Sequence, residues 1–156
     1  MGKKTGKNPT DRGKLGVKRS VLTDRRGVPI GVGISGANTH DQKLVHETLD
    51  SIPVHRPRPT PRSKQHLCCD KEYDAVTVRR TARRRGYLPH IPQKGSEPKP
   101  ACARSKARRW VVERTHSWMN RARRLLIRWE KKAANYLAFV HLQFACVALR
   151  AAGVLG

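Results

Sequence analysis

Residues 17–35 read VKRSVLTDRRGVPIGVGIS, and this stretch decides the fold. Val17, Val21 and Leu22 lie in a β-branched run up to residue 24, and Arg25, Arg26 and Gly27 make a turn. Val28, Ile30, Val32 and Ile34 then alternate with smaller residues. A period of two predicts strands, so the two runs form a hairpin. Gly31 and Gly33 weaken the second strand and leave room for something packed closely above it. Upstream, residues 1–16 are rich in Lys and Gly and are expected to be a flexible basic arm. Downstream, Thr39 followed by Gln42 fits a capping box opening a helix over about 40–49, with Leu44, Val45 and Thr48 on one side. Four prolines and three arginines make residues 53–63 an extended basic loop.

Residues 65–69 are short and apolar and read as a buried strand ending at Asp70. A helix over 75–85 is stopped by Gly86. A strand follows over 87–91, placed at an edge by Pro89, and then a loop over 92–105. In the next helix Val111, Thr115, Trp118, Ala122, Leu125 and Trp129 recur at steps of four and three, one apolar stripe. The last helix, about 133–149, is apolar nearly all round and is expected to be buried. His141, Gln143 and Arg150 interrupt it, which argues against a membrane span. This order, β-β-α-β-α-β-α-α, predicts an α/β layer fold with one central sheet.

Lys and Arg number 34 against 11 Asp and Glu, a formal charge of +23. So basic a chain of 156 residues points to a polyanion partner, most often nucleic acid. The acids thin out along the chain: beyond residue 78 only Glu97, Glu113 and Glu130 remain. Four cysteines, two of them adjacent and none in a CxxC spacing, fit neither a disulfide framework nor a zinc knuckle. They imply a reducing, cytoplasmic setting, and the start MGKKTGKNPT lacks the apolar core of a secretion signal.

Two carboxylates are candidates for chemistry. Asp70 stands at the carboxyl end of a strand, where α/β sheets bind ligands and where an Asp is placed to hold a metal. It could equally cap the next helix, a role for which Asp74 competes. Glu113 lies on the polar side of its helix beside Arg109, His116 and Ser117, and could be simply the partner of an Arg109–Glu113 pair. Considered together, two carboxylates in a basic field suit divalent ions acting on a phosphodiester. The runs RRTARRR and NRARRL favour phosphate contact. In HLCC, strand alternation points Cys68 and Cys69 to opposite faces, against a zinc site. Aromatics, at 5%, argue against single-strand recognition by stacking.

Four stretches carry a resemblance: NPTDRGKLGVKRSVLTDRRGVPI, GISGANTHD, CDKEYDAVTVRR and RRWVVERTHSWMNRARRLLIRWE. In their order and spacing, from about residue 8 to 149, the chain resembles the C-terminal part of a DDE-type transposase from a bacterial insertion sequence. The resemblance implies a ribonuclease-H-like mixed sheet flanked by helices, and a partial DDE catalytic domain over 17–151. It places Asp70 on the family's second Asp, Glu113 on its Glu and Arg109 on its signature arginine, with Asp70 and Glu113 as catalytic ligands of Mg²⁺ or Mn²⁺. Lys71, Arg109, Arg114, Arg121 and Arg124 are the expected DNA contacts.

The chain departs from the pattern at Glu72, where glycine is usual, at Lys106, where tyrosine is frequent, and at Asn120, where many relatives carry a basic residue. The family's first Asp lies on a strand upstream of the NPTDRG region, and the seven residues there hold no acid. The expectation is therefore a sheet lacking its first strand and a chain inactive alone, completed by an upstream-frame polypeptide. Implied partners are DNA, as transposon ends and target, and further copies of the chain on that DNA, with no membrane. The alternatives are a non-catalytic basic nucleic-acid-binding protein and a decayed remnant.

Overall fold

The computed structural model describes residues 4–95 and 103–155, with side chains of the last part from Trp110 onward. The fold is mixed α/β. Strands β2 (Leu15–Thr23) and β3 (Pro29–Gly36) form the expected antiparallel hairpin, Val17 opposite Gly36 and Leu22 opposite Gly31. The turn is closed by Asp24, whose Oδ1 accepts from the N–H groups of Arg26 and Val28 at 2.8 Å, while Gly27 takes φ +85°. A two-residue strand β1 (Gly6–Lys7) pairs with the start of β2, where the sequence led us to expect a loose arm. Nothing in its hydrophobic pattern announces β1. It is held by turn chemistry, Asn8 Oδ1 accepting from the Thr10 N–H, and by a Lys4–Glu47 ion pair.

Helix α1 (Asp41–Asp50) lies over β3 and buries Leu44, Val45, Thr48 and Leu49. It comes so close that a Cβ at Gly33 would stand 2.8 Å from Thr48 Oγ1, which is the close packing the glycines anticipate. The capping box does not form. Thr39 Oγ1 bonds Ser35 Oγ instead, and Gln42 Nε2 donates to the Glu72 carbonyl, so tertiary partners took both side chains.

Strand β4 (Gln65–Cys68) pairs in parallel with β5 (Tyr87–His90), and α2 (Val76–Arg84) makes the crossover. Only Leu67 of β4 is buried, so β4 is a half-exposed strand rather than the buried one expected. Gly86, at φ +76°, ends the α2 turn. Among the described residues there are, instead of one central sheet, two, β1-β2-β3 and β4-β5, not hydrogen-bonded to each other. Each has its own core. Val32, Ile34, Met119, Leu125, Tyr136, Val140 and Phe144 form the first. Val45, Leu49, Leu67, Val78, Ala82, Tyr87 and Ile91 form the second, which Leu22 of β2 joins.

The long stripe of the penultimate helix is broken. Helix α3 (Ala103–Asn120) ends early and a short α4 (Arg123–Leu126) follows. The buried face of α3 runs through Val111, Thr115 and Met119, while Trp129 is 76% exposed. The break lets Leu125 turn into the first core, where its carbonyl accepts from the Tyr136 hydroxyl of α5 (Ala133–Ala151). Helix α5 buries one side only, Tyr136, Val140, Phe144 and Val147, and leaves Leu142 and Leu149 exposed. Its all-round apolarity therefore does not mean burial. Among the described residues no helix is long and apolar enough to cross a membrane.

Candidate metal and nucleic-acid site

β4 delivers Asp70 just past its carboxyl end, half-buried. Its Oδ1 accepts from the Lys71 N–H at 2.5 Å and caps a 3-10 turn over Lys71–Tyr73, so Asp70 does cap, but it caps this turn and not α2. Asp74 is engaged elsewhere. Its Oδ2 accepts from the Lys94 N–H at 2.9 Å and its Oδ1 from Arg79 Nη2 at 2.8 Å, and these bonds hold its carboxyl below the usual carboxylate range. Glu72 pairs with Lys94 Nζ at 3.1 Å. Burial pushes the Tyr73 phenol up to about 12, and it hydrogen-bonds Ser20 of β2. Of the three acids in DKEYD, two are thus tied to cations, and Asp70 is the one at the strand end.

Glu113 is exposed on α3, opposite the buried Val111–Thr115–Met119 face. That face is fixed to the hairpin turn. Thr115 Oγ1 donates to the Gly27 carbonyl at 2.7 Å, and the Arg114 guanidinium donates to the Arg26 carbonyl. Glu113 is therefore carried by a helix docked on β2, and Asp70 by the second sheet. Among the described residues no three His, Cys, Asp or Glu side chains gather to hold a metal. Carboxylate oxygens are the hard donors that Mg²⁺ takes. Asp70 and Glu113 thus fit such an ion in kind, while the set falls short in number.

The expected DNA contacts divide by geometry. Lys71, Arg121 and Arg124 are exposed. Arg114 is half-buried, its guanidinium 4.4 Å from the Trp110 ring and 4.8 Å from the Trp118 ring, where it ties α3 to the hairpin. Arg109 lies on α3 and its side chain falls outside the described residues, as does the Arg109–Glu113 pair. His66 Nδ1 and His90 Nε2 stand 2.6 Å apart across β4 and β5.

One cluster escaped the sequence reading. Arg19 Nη2 donates to Asn120 Oδ1 at 2.9 Å, and Nη1 is buried with no hydrogen-bond partner among the described residues. Burial and the Arg19 charge push the nearby His116 imidazole below its usual value. The signal was present: Arg19 alternates with Val17 and Val21, which pack on the first core, so strand periodicity turns it inward.

The transposase DDE domain family matches residues 1–149, and the chain belongs to that family. A curated relative from Burkholderia cepacia, provisionally named as the transposase for insertion sequence element IS402, is 38% identical over 144 residues, covering 89% of this chain. The chain spans 65% of that relative's length. No solved structure gives a significant match.

Proposed function

We propose that this chain is the C-terminal portion of a transposase catalytic domain, bacterial and cytoplasmic, that acts on the DNA of transposon ends and targets. The observation that carries the reading is the position of Asp70, at the carboxyl end of β4 in the one parallel strand pair among the described residues. Asp70 and Glu113 are two of three acidic ligands for Mg²⁺ or Mn²⁺ in this reading. Such ions, when bound, supply the charge that activates an attacking oxygen and stabilises a leaving one in phosphodiester cleavage and strand transfer.

A ribonuclease-H-like arrangement is supported by the strand edges. Among the described residues, 17–23 of β2 pair only with β3, and β4 pairs only with β5. One further strand between them would join the two pairs into a mixed sheet. Copies of the chain assemble on DNA in this reading.

The test fuses an upstream transposase segment to the chain and assays Mg²⁺-dependent cleavage at transposon ends. Asp70→Asn and Glu113→Gln are each expected to lower the rate by at least a hundredfold; full activity in either variant removes that residue from the site. The absence of a complete acidic cluster among the described residues favours a second reading, a basic nucleic-acid-binding module without catalysis. Binding that ignores both Mg²⁺ and Asp70→Ala would support it.

A further inference from the structure

Between α4 and α5 the chain presents three large apolar side chains to solvent, Leu126 at 60%, Ile127 at 58% and Trp129 at 76% exposure. Single exposed apolar residues are ordinary, but three within four positions form a patch. They line one open depression of about 570 Å³ together with Arg123 and Arg124.

The platform is anchored from beneath. Leu125 is buried in the first core. Arg128 Nε donates to the Glu130 carbonyl at 2.8 Å, and its Nη1 donates to the Lys4 carbonyl at 3.3 Å, so the segment carrying Trp129 is fixed at both sides. The Arg124 guanidinium lies 4.9 Å from the Phe139 ring and 3.8 Å from Glu130 Oε1, which holds it at the rim.

We infer that this depression is a subsite for one unpaired nucleobase, stacked on Trp129 between the Leu126 and Ile127 side chains, with Arg123 and Arg124 on its phosphates. The inference rests on the DNA reading above and deepens it. An exposed indole sharing a depression with apolar side chains takes a planar heterocycle, and the guanidinium groups lining the same depression take the anionic backbone joined to it. A base inside a duplex has both faces covered, so the occupant is a base at a frayed or single-stranded end. One such platform reads one base, in keeping with a chain too poor in aromatics to stack a long single strand. A second copy of the chain fits less well, because at +23 it would bring like charge against Arg123 and Arg124.

The test uses the whole chain and a DNA duplex with a three-nucleotide tail, either of thymidines or of abasic sugars that keep the phosphates and lack the bases. Fluorescence anisotropy at fixed salt is expected to show the thymidine tail bound about tenfold more tightly. Trp129→Leu should bring that ratio to about one, and Trp129→Phe should retain most of it. Equal binding of the two tails by the unaltered chain, or a ratio untouched by Trp129→Leu, overturns the subsite, while affinity for the abasic-tailed duplex still reports DNA binding. If the chain binds neither duplex, the DNA reading fails and the subsite with it. If sedimentation shows dimers that Trp129→Leu dissociates, the face is a contact between copies and the subsite is likewise overturned.

Discussion

His116 shows how a half-buried side chain can set the pH dependence of stability. Burial and the Arg19 guanidinium disfavour its protonated form, so its folded pKa lies below the ordinary 6.5. In the unfolded chain His116 takes up a proton as pH falls through about 6.5, while in the folded chain it does so only lower. The unfolded state thus binds more protons in that window, and stability falls as pH drops into it. Urea midpoints measured from pH 7 to pH 5 should fall more steeply for the unaltered chain than for His116→Gln. Parallel curves would mean that the imidazole is as solvated in the fold as in the unfolded chain. Thr115 beside it is fully buried, and its hydroxyl satisfies the Gly27 carbonyl, so a polar atom in the core is there to dock a turn.

At the scale of elements, the α1–β3 contact depends on an absent side chain. A Cβ on Gly31 would meet the Thr48 carbonyl oxygen at 2.8 Å and Ser51 Oγ at 3.1 Å. Neither neighbour is free to give: Ser51 Oγ donates to that same carbonyl and accepts from the Val32 N–H. Gly31→Ala is therefore expected to push α1 off the strand and to destabilise the fold by about 1–3 kcal/mol, read as a lower urea midpoint. An unchanged midpoint would contradict the close approach. The hairpin, α1 and α2 were legible because periodicity and Gly86 are local signals. The break after α3 was not, because the 111–129 stripe is a good helical pattern locally and only the pull of Leu125 toward Tyr136 ends it. The capping box failed for the same kind of reason, since Ser35 and Glu72 compete for its two side chains from outside the helix.

At the scale of the whole molecule, two sheets share one structure through side chains rather than strand pairing. Leu22 of β2 packs into the second core, and Tyr73 reaches Ser20. The β4–β5 pair is short and must stand on that packing. The Cys69 amide, bonded to the His90 carbonyl at 3.1 Å, should exchange with deuterium far more slowly than amides of the exposed 54–55 loop. Exchange over 67–70 as fast as in that loop would show that this half does not hold without a further strand. The sequence by itself determined the charge, the hairpin and the strand–helix–strand order over 65–91, because each is written in composition or local periodicity. Only the tertiary structure decided that the sheet is divided, that Arg19 and Arg114 serve packing, that Asp70 caps a turn and that Trp129 faces solvent. Those outcomes depend on which distant groups compete for the same backbone and core space, and no window of sequence contains both competitors.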